Sequence, residues 1–138
     1  MKITQFDPTG DLIVVWGHIW GPHENLRLKL AVDTAASITV IATDVIDQIG
    51  LSARQGEART ILRSAVAEEP GYLIRVPRLL ALGFEFESFL VHTHDLPEGI
   101  DIDGLIGLNL LRQFNYEVRS GEGRILMEPL TTVASPPD

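Results

Sequence analysis

The stretch Asp33-Thr34-Ala35-Ala36-Ser37 sets a carboxylate beside small and hydroxylic residues, where an alternating apolar segment ends. An aspartate in such a place has two uses: it can bond its own backbone and shape a turn, or it can exchange a proton as general base or acid. Further along, Asp103-Gly104-Leu105-Ile106-Gly107 sets two apolar residues between glycines, just before Leu108-Asn109-Leu110-Leu111. His92-Thr93-His94-Asp95 offers two imidazoles on one face of a strand. Without a third ligand or a helical His-Glu-x-x-His, it reads as a strand end with solvated histidines, and no metal is expected. No Gly-rich phosphate loop and no Gly-x-Ser-x-Gly elbow occurs, so nucleotide binding and serine hydrolysis have no support. The sequence holds no cysteine, which excludes disulfides, thiolate catalysis and cysteine-bound zinc.

The elements that would position Asp33 are short. Leu26, Leu28, Leu30 and Val32 alternate with Arg27, Lys29 and Ala31, the period of a strand with one buried face, and Asp33 takes the next odd position. Before it, Leu12-Ile13-Val14-Val15-Trp16 suits a buried strand and Gly17 to Glu24 a loop, and Trp16 and Trp20 pack in the core or against a second copy, or bind peptide as an exposed aromatic pair. After it, Ile38 to Ala42 is extended, and a short helix runs from an N-cap at Thr43 to a stop at Gly50. Thr60-Ile61-Leu62 and Tyr72 to Val76 read as two strands of a hairpin, with Pro70-Gly71 as a turn between them. Leu82-Gly83 begins a further strand pair in which the apolar parity changes after Phe86, so a bulge is expected near Ser88. Leu108, Leu111 and Phe114 fit one face of a brief helix. Tyr116 to Val118 and Arg124 to Met127 flank a Ser120–Gly123 turn.

Many short strands with one or two short helices predict an all-β domain over residues 1–130, a closed or semi-closed barrel, followed by a frayed tail over 131–138. The 138 residues are enough for one core, and 45% apolar with 22% charged residues is ordinary for a globular chain. A net charge of −8 argues against a nucleic-acid or anionic-membrane surface. No window approaches the length of apolar chain that a membrane span needs, and the N-terminus lacks a secretory core, so a cytoplasmic protein is expected.

The Asp33-Thr34-Ala35-Ala36 loop and the Asp103–Gly107 turn, in this order, resemble the active-site loop and supporting turn of retropepsin-like aspartic proteases. The likeness runs from about Leu12 to Met127, with two departures: Ala35 stands where the family usually has Gly, and Ser64-Ala65-Val66-Ala67 stands where the family's flap tip is usually Gly-rich. It implies a barrel of the retropepsin (acid protease) type and an aspartic endopeptidase with Asp33 as the catalytic carboxylate. Thr34, Ala35 and Ala36 would shape the loop, and Ser37, Ser64, Ala65, Val66 and Ile106 would line the substrate cleft. The segment Arg63 to Tyr72 falls where the family has its flap, and the chain ends where it has its dimer sheet. The chemistry needs two carboxylates sharing one proton, because like charges a few ångströms apart cannot both ionise. With one such loop per chain, the pair arises only between Asp33 residues of two copies, so a homodimer acting on a peptide or protein substrate is implied, with no cofactor. The other readings are a silent dimerisation or peptide-binding module of the same fold, and an unrelated barrel in which Asp33 shapes a turn.

Overall fold

Ten strands and two short helices make up the described part of the chain, which in this computed structural model is residues 1–52, 58–63 and 68–130. In order these are β1 (Lys2–Gln5), β2 (Val14–Trp20), β3 (Asn25–Val32), β4 (Val40–Ala42), α1 (Thr43–Gln48), β5 (Ala58–Arg63) and β6 (Glu68–Ala81). Then follow β7 (Phe84–His94), β8 (Gly104–Ile106), α2 (Leu108–Leu111), β9 (Phe114–Arg119) and β10 (Arg124–Pro129). Ser64, Ala65 and Val66, expected in the cleft, and the expected tail 131–138 lie outside the described residues.

Pairing runs β2-β3-β8-β4-β7-β6, and β6 returns to pair with β2, so six strands close into a barrel with β5 added outside β6. Closure removes the sheet edges that would otherwise expose unpaired backbone. The period-two pattern before Asp33 holds: Leu28 and Leu30 are fully buried, while Arg27 and Lys29 face away from the core. A second sheet, β1-β10-β9, contributes Ile125, Met127 and Phe114 to the same apolar cluster. The first and the last described strands therefore meet within one molecule, Lys2 opposite Met127 and Gln5 opposite Arg124. Among the described residues, no helix is long and apolar enough to cross a membrane.

Several local expectations are corrected. Strand β2 does not stop at Trp16 but continues to Trp20, so Gly17 lies inside a strand. A Cβ there would sit 2.7 Å from the Leu80 carbonyl oxygen, so glycine lets β6 close against β2. Trp16 is half exposed, with Arg27 stacked 3.6 Å above its ring, and is no core residue. Ala42, not Thr43, caps α1, and no side chain bonds its N-terminus. Its other end is as expected: Gly50 has φ +94°, and Leu51 N–H donates to the Ile46 carbonyl. Pro70-Gly71 is no turn but part of β6, with Pro70 opposite Ile61 on the outer strand β5. Phe114 opens β9 and belongs to no helix.

The β6–β7 hairpin does change faces at Ser88, but without an inserted residue. Val76 stands opposite Phe89 and Arg78 opposite Glu87, so Pro77 and Ser88 face each other at the switch. Ser88 takes φ +49°, and both strands change parity together: Ile74 and Val76 are buried before it on β6, Leu79 and Ala81 after it. Leu82-Gly83 is the two-residue turn between β6 and β7, with φ +54° and +85°. Leu82 adopts this unusual backbone while its side chain is 1% exposed, so apolar burial offsets the strain.

Gly83 has no such compensation to offer a substituent. A Cβ at φ +85° would also press on Lys2, 2.9 Å from its Cδ. Gly83→Ala is expected to destabilise the fold by about 1–2 kcal/mol in urea unfolding. A variant as stable as the parent would contradict this account of the turn.

Candidate active site

Asp33 directly follows β3, and its backbone N–H donates to the Ile106 carbonyl at 3.0 Å, extending the parallel β3–β8 pairing by one bond. The chain then turns. Ala36 N–H donates to the Asp33 carbonyl (3.2 Å), and Ala35 N–H donates to Asp33 Oδ1 (2.9 Å). The carboxylate of this half-buried side chain thus shapes its own loop. Thr34, Ala35 and Ser37 are exposed, and Ala36 is buried beneath them. Among the described non-glycine residues only Leu82 and Ser88 have positive φ, so Ala35 occupies an ordinary backbone region and its methyl group costs no backbone strain.

The far side of the loop is held by α2. Its first N–H groups have no partner within the helix, and loop carbonyls supply them: Leu108 N–H donates to Ala36 O (2.8 Å) and Asn109 N–H to Ser37 O (3.2 Å). Beneath this lies Thr39, fully buried. Its N–H (2.7 Å) and its hydroxyl (2.8 Å) both donate to Asn109 Oδ1, and the hydroxyl accepts from Gly107 N–H at 3.1 Å. Asn109 Nδ2 reaches on to the Leu90 carbonyl (2.9 Å), tying β7 into the same unit. Gly107 makes the approach possible, since a Cβ there would sit 2.6 Å from the Ile38 carbonyl carbon.

Asp103 serves the scaffold. Its Oδ2 accepts from Lys29 N–H (2.8 Å), its own N–H donates to Lys29 O (2.7 Å), and its carbonyl accepts from Ala42 N–H (2.9 Å). One residue thereby joins β3 to the end of β4. From there β8 alternates, turning Ile106 into the core at 0% exposure and Leu105, opposite Ala31, toward the side that carries Asp33. What Ile106 offers the site is its carbonyl, not a cleft-lining side chain.

Sequence reasoning assigned no role to Thr39 and Asn109. The available signal was a lone amide inside the apolar run Leu108–Leu111. The histidines also need correction: His92 is fully buried, not a solvated strand end, and Gly71 of β6 lies so close to its ring that a Cβ there would sit 2.5 Å from His92 Cε1. Its Nδ1 lies 3.0 Å from that of His94. Among the described residues, no three His, Cys, Asp or Glu side chains converge to hold a metal ion.

Comparison with known proteins agrees with this geometry. A family model described as aspartyl protease matches residues 21–110, a span that holds Asp33, Thr39, Asp103 and Asn109. Among solved structures the chain is similar to a retropepsin-like aspartic protease from Rickettsia conorii. The two share 19% identity over 91% of this chain and 87% of that chain, with a TM-score of 0.63. The expected retropepsin-type barrel is therefore the observed fold. A comparison with curated protein sequences gives no match.

Asn109→Ala leaves the buried Thr39 N–H and hydroxyl without their acceptor, and is expected to cost about 2–4 kcal/mol in chemical unfolding. A loss below a few tenths of a kcal/mol would show that the loop is held by something else.

Proposed function

The chain belongs to the aspartyl protease family, and we propose that two copies form an endopeptidase in which the Asp33 carboxylates face each other across a two-fold axis. The observation that carries this reading is the exposed Asp33 loop, fastened at both ends by Ile106 and α2 in a retropepsin-type barrel. One loop per chain gives one carboxylate, and the chemistry asks for two. Asp33 of one copy, ionised, takes a proton from water as that water attacks the peptide carbonyl. The protonated Asp33 of the other copy donates to the carbonyl oxygen, and collapse of the tetrahedral species passes a proton to the leaving amine. In this reading Thr34, exposed beside Asp33, bonds the partner loop, the small exposed residues Ala35 and Ser37 leave room for the substrate backbone, and Ala36, buried beneath them, supports the loop. The β5–β6 hairpin is the segment proposed to cover the bound peptide. The reaction calls for water and two carboxylates, with no cofactor.

Cleavage of a diverse peptide pool, followed from acid to neutral pH, tests the reading. Asp33→Asn is expected to lower the rate by at least about 10²–10⁴-fold. Cleavage that persists at the parent rate would sink it. Folded, dimeric protein that binds peptides without Asp33-dependent cleavage would instead identify the silent binding module. Mixing tests the shared dyad: excess Asp33→Asn chain should suppress the activity of a fixed amount of parent chain, because mixed pairs hold one carboxylate. Activity that merely tracks the amount of parent chain would mean each copy works alone.

A further inference from the structure

Both tryptophans of the chain lie on the outer face of the barrel, which the proposed reaction does not use. Trp16, His18 and Trp20 alternate with the buried Val15, Gly17 and Ile19 along β2. Trp16 stands opposite Lys29 and His18 opposite Arg27, while Trp20 lies between Asn25 of β3 and Arg78 of β6. Arg27 precedes Asp33 by six residues, about 20 Å along an extended strand, so this face is separate from the candidate active site.

The face holds one arrangement twice, once complete and once lacking a part. At one end the Arg78 guanidinium lies 4.0 Å over the Trp20 ring and donates to both oxygens of Glu85, at 2.6 and 3.2 Å. At the other end the Arg27 guanidinium lies 3.6 Å over the Trp16 ring, and no carboxylate among the described residues pairs with it. Stacking holds a guanidinium in one plane while its N–H edge stays available to a carboxylate. Lys29 adds a second cation 5.5 Å from the Trp16 ring, and only one of its three donors is taken, by Asp101 at 2.7 Å. Trp16 itself is half exposed and offers apolar surface beside these charges.

The complete arrangement shows what the incomplete one fits. We propose that Trp16, Arg27 and Lys29 form a docking site for an acidic peptide segment of a partner protein, whose carboxylate takes on Arg27 the place that Glu85 takes on Arg78. Arg27 and Lys29 are two residues apart on β3, about 7 Å, which is also the interval between alternate side chains of an extended peptide. A segment with acidic residues at every second position therefore meets both cations. A single-stranded nucleic acid fits less well, because it needs a succession of free ring faces, and Arg27 and Arg78 each cover one indole face. A long polyanion would also meet Glu85 and Glu87 at the border of the face and a chain of net charge −8. The assignment stands apart from the protease reading and does not require it.

The indole N–H signals in NMR spectra of the full chain are the direct readout, assigned through Trp16→Phe. The probe is a hexapeptide of alternating glutamate and valine, with its glutamine counterpart as control. The glutamate peptide is expected to move the Trp16 signal saturably and to bind about fivefold more tightly than the glutamine peptide, with the gap narrowing at high salt. In Arg27→Gln protein the gap should vanish, while an unmoved Trp20 signal reports an intact fold. Glu85→Gln removes the carboxylate that occupies Arg78, so there the Trp20 signal should respond to the glutamate peptide as well. Asp33→Asn protein should behave as the parent does. Equal binding of the two peptides, no response at Trp16, a gap that survives Arg27→Gln, or a silent Trp20 in Glu85→Gln protein would overturn the assignment. So would a thymidine oligonucleotide that moves the Trp16 signal where the glutamate peptide does not.

Discussion

Everything at the Asp33 loop depends on a small set of hydrogen bonds between two segments about seventy residues apart in sequence. Asn109 Oδ1 accepts both the N–H and the hydroxyl of Thr39 (separation 70). Deep in a barrel an unpaired donor is expensive, so these groups hold each other to one geometry more strictly than apolar contacts would. Apolar packing tolerates small slides, whereas a doubly accepting amide fixed on a helix does not. The consequence is a surface loop of small residues whose backbone carbonyls are bonded to the start of that helix.

The barrel supplies the frame for that bracing. β8 is three residues long, yet it lies between β3 and β4, parallel to one and antiparallel to the other. It can be so short because Asp103 bonds the backbones of Lys29 and Ala42 immediately before it. A carboxylate here does the work of extra ladder bonds. The long β6–β7 hairpin serves two neighbourhoods through its change of face: Val76 and Val91 fill the barrel, while Phe84 and Phe86 reach Phe114 of the other sheet, with ring centroids 4.7 and 6.2 Å apart.

Much of this was legible in the sequence because the signals were local and periodic. The alternation in β3, the loop at Asp33, the stop at Gly50 and the hairpin around Ser120–Gly123 each follow from a few adjacent residues. The misreadings share one cause. Gly17 and Pro70-Gly71 look like loop residues, but they sit in strands because another backbone or an outer strand lies against them, a long-range fact. The burial of His92 involves the close approach of Gly71 from the next strand, which no local pattern encodes. Thr39 and Asn109 each look ordinary alone, and their role exists only as a pair. The short N-terminal strand β1 left no periodic trace because four residues with one half-buried side chain are too few to show one.

That strand has a further meaning. β1 lies antiparallel on β10 of its own chain, and Lys2 Nζ reaches the Gly83 carbonyl at 2.9 Å, so the first residues are fastened to the last strand and to a hairpin tip. The three-stranded sheet forms within a single copy, with β1 and β9 at its edges. Its ladder bonds are intramolecular, so the pairing of the first residues with β10 carries no dependence on protein concentration.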